Sequence, residues 1–260
     1  MELLHSKIIG TGAPLIILHG YFGNGDNWKT IGNELAKTFQ VHLVDQRNHG
    51  RSFHSDIFDY EEMVSDLDHY IKHYQLEEVI LIGHSMGGKV AMLYATEYPT
   101  SVRGLLVADI SPKMYPPHHH DILDALNSID FSVHTSRKLV DEKLKELIPE
   151  VGVRQFLMKN VYWKEKGQLD FRFNIQALTE NTHEVGAALP SFSIFEGSTL
   201  FLKGENSGYI SSDDTSLIKA HFPAANILNI PEAGHWLHAE NPVAFLQETL
   251  HFLTQFKSSS

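Results

Sequence analysis

The sequence predicts an α/β fold: a mostly parallel sheet with helices on both faces and one helical insertion. Three observations predict it. Short apolar runs alternate with segments of helical periodicity through the first 112 residues, the rhythm of a parallel sheet covered on both sides. Gly83-His84-Ser85-Met86-Gly87, a Gly-x-Ser-x-Gly pentapeptide, stands where the apolar run Val79-Ile80-Leu81-Ile82 gives way to a helix. The alternation then stops at Lys113 and resumes after about Pro190. These divide the 260 residues into a core of 1–112 and 191–260 and a helical cap over 113–190.

The elements follow in order. Leu3 to Ile9 reads as a short edge strand closed by Gly10-Thr11-Gly12. Pro14 to Leu18 is a continuous apolar run, as a strand buried on both faces requires. The loop His19 to Asp26 follows, then one helical face at Trp28, Ile31, Leu35 and Phe39. Val41 to Val44 is the next strand and runs into Asp45-Gln46-Arg47-Asn48-His49-Gly50-Arg51-Ser52. Tyr60 to Leu76 is a helix with Val64, Leu67, Ile71 and Tyr74 inward. After the Val79 strand and its helix, stopped by Pro99, Gly104 to Ala108 is a strand closing on Asp109-Ile110-Ser111-Pro112.

The insertion shows helical faces at Ile122-Ala125-Leu126-Ile129, Val140-Leu144-Leu147, Val153-Phe156-Leu157-Val161 and Ile175-Leu178-Thr182-Val185, with a hairpin around Lys166-Gly167. Ser198 to Lys203 resumes the sheet, a helix runs to Phe222, and Asn226 to Ile230 is the last strand. Asn241-Pro242 pairs a capping side chain with proline at the first helical position. It opens a final helix with Val243, Leu246, Leu250 and Leu253 inward, before a frayed tail at 258–260.

The pentapeptide carries the chemistry. A strand that reverses into a helix within one residue strains the backbone at the serine, and flanking side chains would collide. Gly83 and Gly87 remove those side chains, which exposes Ser85 and aims the Met86 amide, at a helix N-terminus, where an oxyanion would form. A serine hydroxyl needs a base, itself oriented by a carboxylate. Of 17 histidines, His235 is the candidate base, because it follows the last strand and completes the chain order Ser…Asp…His. His238, one turn on, is the lesser candidate.

Gly83 to Gly87, His19-Gly20-Tyr21-Phe22-Gly23, the Asp45–Ser52 run and Gly234-His235 together resemble the α/β-hydrolase superfamily over essentially the whole chain. Arg47 to Gly50, Gly83 to Lys89, Asp109 to Pro112 and Ala233 to Glu240 look like the small bacterial esterases of the YbfF type. The resemblance implies an oxyanion hole made by the backbone amides of Tyr21 and Met86. It also implies that His19 and the Asp45–Ser52 run hold loops instead of doing chemistry. Many relatives carry their acid three residues after the glycine of the penultimate strand, where this chain has Ser207. Asp109 is the alternative, as in the YbfF-type esterases; Asp213, Asp214 and Glu205 are poorly placed.

Composition excludes several classes. The chain has no cysteine, so disulfides, thiolate metal sites and a cysteine nucleophile are out, and a reducing, cytoplasmic setting is the expectation. A formal charge of -11 argues against a nucleic-acid partner, and no apolar run reaches the length of a membrane span. The start lacks a charged n-region and a long apolar stretch, so no signal peptide is expected. No dinucleotide or phosphate-cradling motif is present, so no cofactor is expected. His118-His119-His120 has no matching carboxylates nearby and reads as a solvated run, not a metal site.

The leading expectation is hydrolysis of carboxylic esters or acyl thioesters through an acyl-serine formed by Ser85, with His235 and Asp109. Lactone opening, carbon–carbon hydrolysis, acyl transfer and perhydrolysis use the same triad, and a ligand-binding signalling protein with a hydrolase pocket remains an alternative. Composition and motifs leave the oligomeric state open.

Overall fold

The computed structural model describes residues 2–117 and 119–256. Its main sheet has seven strands in the order β1-β3-β2-β4-β5-β8-β9. These are β1 (Ser6–Ile9), β2 (Pro14–Leu18), β3 (Gln40–Val44), β4 (Val79–His84), β5 (Val102–Ala108), β8 (Thr199–Gly204) and β9 (Ala225–Ile230). All neighbours pair parallel except β1, which runs antiparallel to β3 at the edge. Parallel pairing puts the carboxyl ends of β2, β4, β5, β8 and β9 on one edge, where an open α/β sheet holds its site.

Alternation along the strands feeds two apolar layers. Ile16, Leu18 and Leu81 face one layer with Val64 and Leu67 of α2 (Tyr60–His73) and Val90 and Leu93 of α3 (Met86–Glu97). Leu15, Ile17, Ile80 and Ile82 face the other with Ile31 of α1 (Lys29–Leu35) and Phe245 and Leu253 of α10 (Pro242–Leu253). A short α8 (Asp214–His221) joins β8 to β9, and α9 (Leu237–Glu240) precedes α10.

Between β5 and β8 lie α4 (His120–Asn127), α5 (Arg137–Leu144), α6 (Val151–Met158), the antiparallel hairpin β6 (Val161–Glu165) and β7 (Gln168–Phe171), and α7 (Ile175–Glu180). The hairpin turns at Gly167, whose φ of +86° suits glycine.

Several expected faces are displaced. Val161 starts β6 instead of closing α6, and α7 stops at Glu180, before Thr182 and Val185. Tyr74 and Leu147 lie past their helices and are exposed. In α10, Phe245, Thr249, Phe252 and Leu253 are buried while Val243 is 77% exposed. That helix is apolar on most sides, so periodicity left its phase open; the bulkier phenylalanines took the core. The tail at 258–260 lies outside the described residues. No helix among the described residues is long and apolar enough to cross a membrane.

Candidate active site

Ser85 sits between β4 and α3 at φ +53° and ψ −120°, a conformation costly for a side-chain-bearing residue. The crowding expected of the glycines is present. A Cβ on Gly83 would stand 2.3 Å from the Gly87 carbonyl oxygen, and one on Gly87 would stand 2.4 Å from that of Leu18.

Sheet register delivers the carboxylate to the same place. Ser85 N–H donates to Ala108 O at 3.0 Å, and Asp109 N–H donates to Leu202 O at 2.8 Å, so each residue extends its strand's ladder by one. Asp109 is fully buried and has φ +52°, a second strained position. His235, in the loop after β9, lies between them. Its Nε2 is 3.0 Å from Ser85 Oγ and its Nδ1 is 2.8 Å from Asp109 Oδ2. The carboxylate can only accept, so Nδ1 carries the hydrogen and Nε2 presents a lone pair to the serine hydroxyl. Gly204 N–H donates to Asp109 Oδ1 at 3.0 Å, and the Ser207 hydroxyl donates to Oδ2. Ser207, three residues after Gly204, thus supplies a donor to the Asp109 carboxylate.

Two further side chains hold His235, one at its backbone and one at its ring, and neither role was read from the sequence. His84 Nε2–H donates to the backbone oxygen of His235 at 2.8 Å. Burial, with His235 and His238 adjacent, pushes the His84 pKa well down, so its ring stays neutral. Tyr209 stacks on His235, with centroids 3.9 Å apart and planes at 15°. His84 occupies the variable place of the pentapeptide, which no motif assigns, and Tyr209 stands in an unpatterned loop.

The loop after β2 packs against the serine: a Cβ on Gly20 would lie 3.2 Å from Ser85 Cβ. Within this loop, Phe22 N–H donates to His49 Nε2 at 3.2 Å and Gly23 N–H to Gly20 O at 2.9 Å. Tyr21 lies between Gly20 and Phe22 in this loop, and Met86 follows Ser85 as the first residue of α3.

The Asp45–Ser52 run ties down its surroundings. Asp45 accepts from Gly25 N–H at 2.7 Å and Arg51 N–H at 2.9 Å, and Arg47 forks onto Asp66 at 2.6 and 2.9 Å. His19 Nε2 accepts from Gln46 N–H at 3.0 Å and its Nδ1–H donates to Gly20 O at 2.8 Å. Burial lowers the His19 pKa to about 4 and, with His19 beside it, that of His49 to about 3, so both are uncharged at neutral pH.

Above Ser85 and His235 is a cavity of about 260 Å³. Phe22, Trp28 and Trp236 line it from the sheet side, and Ile122, Phe156 and Leu157 from the inserted helices. No Asp, Glu, Lys or Arg side chain is among the described residues that line it. His238 makes no bond to the serine; it stacks on Trp28, centroids 3.9 Å apart, and burial lowers its pKa to about 3. Asp214 is paired with Lys113 at 2.7 Å, and Glu205 accepts from Glu232 N–H at 2.9 Å, so neither serves the imidazole. His119 rests against the rings of Tyr21 and Phe22, whereas His118 lies outside the described residues. Among the described residues no three His, Asp or Glu side chains are grouped as metal ligands.

A parallel sheet, a strained serine between strand and helix, and a histidine after the last strand define an α/β hydrolase. Residues 13–147 match the model of the α/β hydrolase fold, and the chain belongs to that family. It is 39% identical over 253 residues to the sn-1-specific diacylglycerol lipase ABHD11 of Danio rerio, covering 94% of this chain and 79% of the relative. It is 33% identical over 244 residues to esterase YbfF of Escherichia coli, covering 93% of each. Among solved structures, a marine microorganism esterase superposes with a TM-score of 0.95 at 45% identity, covering 97% of this chain and 100% of that one. The likeness to small bacterial esterases expected from the motifs therefore holds.

Proposed function

We propose that Ser85, His235 and Asp109 form the catalytic triad of this protein, a carboxylic ester hydrolase working through an acyl-enzyme. The observation that carries this reading is the continuous hydrogen-bond chain from Ser85 Oγ through His235 to buried Asp109, at the floor of an apolar cavity. Ser85 Oγ attacks the acyl carbon as His235 Nε2 takes its proton, and Asp109 stabilises the imidazolium. The amides of Tyr21 and Met86 hold the tetrahedral oxyanion. His235 passes the proton to the departing alcohol or thiol. It then activates water, which releases the acid and restores Ser85.

The substrate is a small neutral acyl ester or thioester. The cavity lies below the ~300–1,000 Å³ range of ligand pockets, which favours short acyl groups, and the lack of Lys and Arg in its described lining leaves an anionic substrate without a permanent cationic partner. Residues 113–190 act as the cap that roofs the acyl group. The absence of cysteine from the chain supports a cytoplasmic setting. A panel of oxygen esters and thioesters of increasing acyl length tests the assignment: multiple turnover falling with chain length is expected, and no turnover on any member contradicts it.

A further inference from the structure

Asn160 stands between α6 and β6, far from the serine in sequence, and is fully buried. Its amide is spent on the loop after β2: Nδ2 donates to Phe22 O at 2.8 Å, and Oδ1 accepts from Asn24 Nδ2 at 2.8 Å. Phe22 is held at φ +60°, a conformation its side chain disfavours. His49 fixes its N–H and Asn160 fixes its carbonyl, so this strained residue is clamped from both sides. The next residue upstream is Tyr21, whose hydroxyl donates to Leu178 O of α7 at 2.7 Å. Asn160 is itself anchored. Arg172 N–H donates to its carbonyl oxygen at 2.9 Å, and Arg137 donates to the carbonyls of Met158 and Val161 on either side, both at 2.6 Å.

We infer that Asn160 is a positioning residue for the oxyanion hole: the inserted helices, besides roofing the substrate, hold the Tyr21 amide in its donating position. This rests on the triad and oxyanion reading given above. An oxyanion donor acts only when fixed where charge develops, so a loop free to relax from its strained state loses rate in the chemical step and not in binding. A cap that swung away as a rigid lid would break these bonds and dismantle the hole.

Asn160→Asp tests this with an isostere. It keeps the acceptor for Asn24 and turns a carboxylate oxygen against the Phe22 carbonyl. The expected result, with the new carboxyl ionised, is a kcat about 10- to 100-fold lower, with KM within about threefold and equally slowed labelling of Ser85 by an organophosphate; the deficit relative to wild type should shrink as pH falls and the protonated carboxyl donates to Phe22 O in the amide's place. Tyr21→Phe removes the second tie alone and should lower kcat by a smaller factor with KM again unchanged; it carries the test if Asn160→Asp does not fold. Wild-type kcat in folded variants, or a loss confined to KM, overturns the inference while wild-type labelling at Ser85 keeps the triad standing. Wild-type enzyme labelled elsewhere overturns the triad, and this inference with it.

Discussion

The floor of the site and the loop above it are built in different ways. On the floor, Ser85 and Asp109 each stand one residue past a strand and stay on the sheet ladder through Ala108 and Leu202. Register alone brings them to one edge, and His235 enters from the end of β9. The loop carrying Tyr21 is held instead by side chains reaching to backbone over long sequence distances: Asn160 to Phe22 and Tyr21 to Leu178. Chemistry placed by a sheet follows from local motifs. A loop held by an insertion depends on tertiary contacts that no short pattern displays.

The largest effect that could break this contrast is on the floor. Asp109→Asn preserves shape but favours the wrong imidazole tautomer, so turnover should fall by about 10⁴ with KM little changed and the melting curve retained. Glu205→Gln and Asp213→Asn should stay near wild type. If either of these is the inactive variant and Asp109→Asn is not, register did not place the acid. Ser207→Ala removes one donor to the Asp109 carboxylate and leaves the Gly204 amide in place. Steady-state kinetics should show about tenfold lower kcat, the scale of one charge-assisted hydrogen bond.

A stability measurement sharpens the contrast. His19, His42, His49 and His238 all have pKa values lowered from 6.5 to about 3–4, mainly by burial, and all belong to the sheet side of the molecule. Above pH 6.5 both folded and unfolded chains leave them neutral. As pH falls from 6.5 through about 4, the unfolded chain binds protons that the folded chain refuses, and stability is lost. Thermal melts should show Tm dropping steadily over that window; a flat Tm from pH 7 to pH 4 would contradict the buried neutral state. The smallest effect is at Trp163, 55% exposed on the hairpin and away from the cavity. Trp163→Ser should leave kcat and KM within about twofold, because surface changes of this kind are near neutral.

The same contrast explains what was legible. Pro14–Leu18 was read to the residue, because a fully buried parallel strand is a continuous apolar run. Asn241 accepts from Ala244 N–H at 3.1 Å with Pro242 at the first helical position, as the cap signal demands. The elbow at Ser85 was legible because glycines at a close approach leave a pattern. The phase of α10 was not, because several of its faces are apolar. The inserted helices were found from their periodicity, but their ends at Val161 and Glu180 were set by the hairpin and by packing. Ser207 was visible as a departure from relatives, yet its bond to Asp109 was not. Asn160 offered no signal at all: one asparagine between a helix and a strand resembles any turn residue until the partner loop is in view.

Ser85 as the covalent centre of turnover is open to direct test. The most direct test treats the protein with an organophosphate and locates the adduct by intact mass and peptide mapping. A single adduct on the peptide bearing Ser85, forming in step with loss of esterase activity and absent from Ser85→Ala, is the predicted result. Activity lost with the adduct on another residue, or esterase activity retained in Ser85→Ala, would contradict it.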